Sequence, residues 1–124
     1  MSTDYKDLAA WQYAMRLVRE VYGCTRSFPR EELFGLRSQM RRAAVSIASN
    51  IAEGKGRYSQ KELLQFLYKA RGSLLELETQ LCIAHDLAYV DDTGNRALST
   101  SVLAVMRTLN GLIKRFQNEI RTVS

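Results

Sequence analysis

From Leu98 to Phe116 the apolar residues Leu98, Val102, Val105, Leu109, Leu112 and Phe116 step by 4, 3, 4, 3 and 4. Such a stripe runs along one side of an α-helix; a strand, whose side chains alternate with a period of two, cannot present it. The same period recurs in three earlier segments. Between Leu8 and Ser27 it is carried by Leu8, Trp11, Met15, Val18, Val21 and Tyr22. Asp7 is placed as the N-cap there, and Phe28-Pro29 ends the helix because the residue before proline avoids the helical region. The second segment has Phe34, Leu36, Met40, Ala43, Ala44, Ile47 and Ile51 and closes at Gly54 and Gly56. The third opens on Ser59-Gln60-Lys61-Glu62, a pattern in which serine and glutamate satisfy each other's free backbone N–H groups. It continues through Leu63, Phe66, Leu67, Ala70, Leu74, Leu77, Leu81 and Ala84, then gives way to a turn over Asp91-Asp92-Thr93-Gly94-Asn95.

One proline and seven glycines in 124 residues leave too little punctuation for a many-stranded fold. Four amphipathic helices joined by short polar loops predict an all-α, antiparallel up-down four-helix bundle, a single domain over residues 1–124. From Ala43 to Ala52 the second helix is small or apolar nearly all round, which calls for cover on more than one side. We read the second side as a subunit interface, and hence a homo-oligomer; burial within a tight single-chain bundle is the alternative.

The first seven residues alternate in charge without an apolar core, unlike a signal peptide, and the apolar stretch 43–52 is about half a membrane span. Two cysteines, Cys24 and Cys82, show no paired-motif spacing. A cytoplasmic protein without membrane contact is expected.

Catalysis finds little to work with. A carboxylate-bridged metal pair in a bundle needs two Glu-x-x-His motifs, and the chain has one histidine, His85, preceded three residues earlier by Cys82. Cys82 and His85 supply two zinc ligands where structural sites want four. No nucleophile motif surrounds any serine, and Gly54-Lys55-Gly56-Arg57 lacks the strand and spacing of a nucleotide-binding loop. Glu53, Glu76 and Glu78 beside arginines are read as ion-pair partners. No enzyme activity, cofactor, metal or small-molecule substrate is expected.

The net charge of +5 is uneven: +1 over residues 1–29, +3 over 30–57, −1 over 58–90 and +2 over 91–124. Arg37 and Arg41 are one helical turn apart, and Lys55, Arg57 and Lys61 gather around the loop before the third helix, whose free amides suit an anion. On the fourth helix Arg96, Arg107, Lys114 and Arg121 are 11, 7 and 7 apart and form a stripe. Such cations suit the phosphates of RNA or DNA, and an ordinary solvated face is the alternative. The nucleic-acid residues named here are therefore Arg37, Arg41, Lys55, Arg57, Lys61, Arg107, Lys114 and Arg121. The competing function is a protein-interaction scaffold whose basic residues only keep it soluble.

Several motifs together resemble the four-helix bundle family of 23S rRNA intervening-sequence proteins. They are Trp11-Gln12, Val21-Tyr22, Phe28-Pro29, Gly35-Leu36-x-x-Gln39-Met40-Arg41-Arg42-Ala43, Asn50-Ile51-Ala52-Glu53-Gly54, Ala70-Arg71-Gly72-Ser73 and Glu76-Leu77-Glu78-Thr79-Gln80-Leu81. The resemblance covers Leu8 to Tyr89; the fourth helix matches as a generic amphipathic helix. Where members often carry Ser-Ile-Pro this chain has Ser46-Ile47-Ala48, so the second helix lacks a proline kink. The resemblance implies a small cytosolic ring-like homo-oligomer, commonly a pentamer, akin to nucleic-acid-binding accessory bundles of diversity-generating retroelements. It implies no catalytic residues. We read Arg42, Asn50, Glu53, Arg71, Glu76 and Gln80 as a partly buried polar network that fixes register or subunit contact, since buried charge must be paired. Gly72 inside the third helix, at a cost of about 1 kcal/mol against alanine, points to a close backbone approach.

Overall fold

The computed structural model describes residues 4–123; Met1 to Thr3 of the charged N-terminal segment and Ser124 lie outside the described residues. Four helices run over Ala9–Thr25 (α1), Leu36–Lys55 (α2), Gln60–Asp86 (α3) and Asp92–Val123 (α4), with single 3-10 turns at Tyr5–Asp7 and Arg30–Glu32. The described residues contain no strand. No helix among them is long and apolar enough to cross a membrane.

Each helix packs on the next, α4 returns to α1, and the backbones of the diagonal pairs stay apart. The strongest packing joins α2 to α3. Cross-helix pairs fall in the order antiparallel neighbours give: Arg41 meets Thr25, Ser46 meets Ser73, Arg71 meets Asn110, and Gln60 near the start of α3 meets Glu119 near the end of α4. Leu17, Met40, Ile47, Ile51, Leu67, Leu74, Leu77 and Leu109, each under 2% exposed, form the centre. A side chain of this kind contributes roughly 1.5–3 kcal/mol when fully buried.

The helices start where local chemistry allows. The Ser59 hydroxyl accepts from the Glu62 N–H at 3.4 Å, which opens α3 with the serine half of the expected reciprocal pair. The Asp91 carboxylate accepts from the Gly94 N–H at 2.8 Å, so Asp92 to Asn95, expected as a turn, form the first turn of α4. At α1 the expected cap is corrected: Asp7 ends the preceding 3-10 turn, and Leu8 holds the cap position with no side-chain bond.

The buried seams shift from the expected ones. On α1 the fully buried line is Ala10, Ala14, Leu17, Val21 and Thr25, while Trp11, Met15 and Val18 are half-buried and Tyr22 is exposed. On α4 Ile113 is buried and Leu112 only half-buried, because a straight helix of 3.6 residues per turn drifts off a seven-residue repeat. Phe34 precedes α2 and is 89% exposed. Ala43, Ala44, Ile47, Ala48 and Ile51 are all buried within the chain, since α1 and α3 flank α2. Val45 is left exposed.

A candidate anion-binding groove on helix α2

The α1–α2 corner builds a groove from two consecutive rows of one helix. Positions 37, 41 and 45 form one i, i+4 row and 38, 42 and 46 the next, so Arg37, Arg41, Val45, Ser38, Arg42 and Ser46 share a face. Tyr22 from α1 and Leu33 from the connection complete an open groove of about 610 Å³. Among the described residues no carboxylate lines it.

Each arginine is held differently. Thr25, fully buried at the end of α1, donates its hydroxyl to the Val21 carbonyl at 2.8 Å and accepts from Arg41 Nε at 2.9 Å. Arg41 Nη2 donates to the Tyr22 carbonyl at 3.2 Å, and the guanidinium carbon lies 4.4 Å from the Tyr22 ring centre, within cation–π range. Burial first, then the charges of Arg37 and Arg26, pull Arg41 below the ordinary arginine pKa, partly offset by Tyr22. Arg37 keeps a buried Nε with no hydrogen-bond partner among the described residues. Arg42, exposed, donates from Nη2 to the Ser38 hydroxyl at 3.2 Å. Cations are thus gathered with donors to spare.

The acid closest in sequence is turned elsewhere. Glu32 accepts from the Leu36 N–H through Oε1 at 3.1 Å, capping α2, and from the Tyr89 hydroxyl through Oε2 at 3.0 Å.

Of the basic residues singled out from the sequence, only Arg37 and Arg41 meet in this groove. Lys55 lies at the other end of α2, about 27 Å along a helix of 1.5 Å rise. Its Nζ sits 6.0 Å from the Phe116 ring centre. Arg57 pairs with Glu53 at 3.8 Å and lies 4.5 Å from the Phe66 ring centre, and Lys61 is exposed at the start of α3. Arg107, Lys114 and Arg121 are exposed on α4, whose backbone does not approach α2.

The six residues read as a polar network do not form one within the described chain. Asn50 donates to the carbonyl and hydroxyl of Ser46 at 2.8 and 3.0 Å, Glu53 pairs with Arg57, and Gln80 donates to Glu76 at 3.2 Å. These pairings stay within a helix or just past its end. Arg71 does reach another helix, donating to Asn110 at 3.1 Å, and Ser46, the partner of Asn50, meets Ser73 of α3 at 2.9 Å. Arg42 belongs to the groove instead. Gln80 Oε1 is buried without a partner among the described residues. His85 Nε2 sits 2.8 Å from Asp92 Oδ1, which places the histidine at the α3–α4 corner. Among the described residues no three His, Cys, Asp or Glu side chains gather as a metal site would require.

Arg42, Ser38, Val45 and Ser46 were open to detection by extending the Arg37–Arg41 row and its neighbour. Tyr22, Thr25 and Leu33 come from other elements, and nothing in their local sequence marks them. A family model described as 23S rRNA-intervening sequence protein matches residues 6–111. A search of curated proteins finds no match.

Proposed function

The chain belongs to the 23S rRNA-intervening sequence protein family, and from that starting point we propose a non-catalytic, oligomeric, cytoplasmic module that binds RNA or DNA phosphates at the α2 groove. The groove carries the reading. Three guanidinium groups share one face with no lining carboxylate, and two of them are oriented by Thr25, the Tyr22 carbonyl and Ser38. A guanidinium keeps its proton across physiological pH and offers a rigid fork to phosphate oxygens, which suits holding charge rather than exchanging protons. Self-association is supported by the exposed Phe34 and by an apolar groove between α1 and α2, of about 260 Å³, lined by Trp11, Met15, Val18 and Ala48. A pentamer is the state that the family resemblance suggests, and sedimentation mass reads the subunit number directly.

The binding test is fluorescence anisotropy of labelled structured RNA and duplex DNA across a salt series. Affinity should fall linearly on a log–log plot, as counterion release requires. The double variant Arg37→Ala, Arg41→Ala should lose most of it. Absence of binding at low salt, or binding indifferent to the double variant, refutes the reading. The same apolar groove favours a second reading, a scaffold for a protein partner; capture of one defined partner after nuclease treatment, with no nucleic-acid affinity, selects it.

A further inference from the structure

The cations of the groove are concentrated rather than strung out. Arg37, Arg41 and Arg42 fall within six residues of α2, a rise of about 7.5 Å. Beyond them the walls turn apolar at Leu33 and Val45. The other cations named above do not extend the line: Lys55 and Arg57 cluster at the far end of α2, and the α4 stripe belongs to a helix whose backbone stays apart from that of α2. A protein that follows a single strand lays its positive charge along a groove several nucleotides long. Here three of the cations are gathered in one groove.

Taking the groove as an anion site, as above, we propose that its ligand is a phosphate monoester on a nucleotide: the phosphorylated end of a strand, or a free mononucleotide. An internal phosphodiester brings one charge. A monoester brings about −1.5 to −2 at neutral pH and three acceptor oxygens, which matches three guanidinium groups lining one groove better. Arg37 lines the groove beside Arg41, and Arg42 offers an exposed fork with one nitrogen bonded to Ser38. A dianion also relieves the mutual repulsion of Arg37 and Arg41, which face each other without a carboxylate between them. The space exceeds what phosphate alone needs and falls in the range of small-molecule sites, leaving Leu33 and Val45 as an apolar seat for sugar and base.

The experiment titrates the full chain with one short single-stranded RNA in three forms, carrying a 5′-phosphate, a 3′-phosphate or hydroxyls at both ends. Adenosine 5′-monophosphate serves as competitor. A phosphorylated end should raise affinity about tenfold or more, the equivalent of one strong charge-assisted contact. The advantage should shrink as pH falls below about 6, where the phosphate loses its second charge; the charged and titratable groups around it are Arg37, Arg41, Arg42 and Tyr22, with Arg26 close to Arg41. Displacement by the mononucleotide identifies free nucleotide as a sufficient ligand, and displacement by phosphorylated strands alone identifies strand ends. Arg42→Ala, at an exposed position, should erase the preference without loss of helix content, and Arg42→Lys should restore only part of it. Equal binding of all three RNAs overturns the monoester; if Arg37→Ala with Arg41→Ala still weakens that binding, the phosphate-backbone reading survives alone. No binding by any form at low salt overturns both.

Discussion

A methyl group added at Gly54 would lie 3.0 Å from Phe66 Cβ and 3.1 Å from the Leu63 carbonyl oxygen. One of those neighbours is backbone, so the end of α2 and the start of α3 would have to separate. Gly54→Ala should cost about 1–3 kcal/mol, as overpacking does, visible as a lower urea midpoint. Gly72 behaves oppositely. Nothing lies within 4 Å of its would-be methyl and the residue is exposed, so the close approach expected there is corrected. Gly72→Ala should raise stability by up to about 1 kcal/mol, the helix-propensity difference, in the same denaturation assay. Nothing in the local sequence separates the two glycines; the difference is made by where two helices cross, which is a tertiary fact. The same holds for Arg41, whose partners Tyr22 and Thr25 precede it by 19 and 16 residues, on the far side of the α1–α2 connection.

At the level of elements, the α1–α2 and α3–α4 connections are fastened to each other. Tyr89 donates to Glu32, its ring lies 5.4 Å from that of Phe28, and the neighbouring Ala88 is held at φ 63°, a left-handed conformation that a methyl side chain disfavours. The hydrogen bond to Glu32, followed by burial and the charges of Glu32 and Glu31, raises the Tyr89 phenol above its ordinary pKa. With the folded pKa raised, the unfolded chain releases this proton first. The contribution is therefore complete below about pH 10 and is lost as pH climbs through the folded value. The urea midpoint of the parent should exceed that of Tyr89→Phe at neutral pH, and the gap should close above about pH 10. A gap that does not change with pH would detach Glu32 from the phenol. Helix number and approximate span were legible from periodicity because every helix has one polar side. Seam positions were less so: alanines that fit a tight crossing, such as Ala10 and Ala14, look unremarkable beside Trp11 and Met15 but occupy the deeper line.

For the whole molecule, the sequence locates the charge excess in residues 30–57 but does not reveal that α2 divides it between two ends. Nor does linear spacing show that the stripe of Arg107, Lys114 and Arg121 sits on a helix diagonal to the groove. Neighbouring helix axes lie about 8–10 Å apart, so a diagonal separation exceeds the screening length of about 8 Å at 0.15 M salt. The two basic regions should then respond differently to ionic strength. Removing three charges with Arg107→Ala, Lys114→Ala and Arg121→Ala should weaken RNA binding at low salt, where long-range attraction operates, and have little effect at about 0.15 M. Removing only two with Arg37→Ala and Arg42→Ala should weaken it at both, because donors in contact with a phosphate are not screened away. Anisotropy titrations of the two variants at both salts make the comparison. If the α4 variant loses as much as the groove variant at the higher salt, the nucleic acid touches α4 directly. One chain does not bring those surfaces together, so such a result would require an assembly that sets α4 of one subunit beside the groove of another.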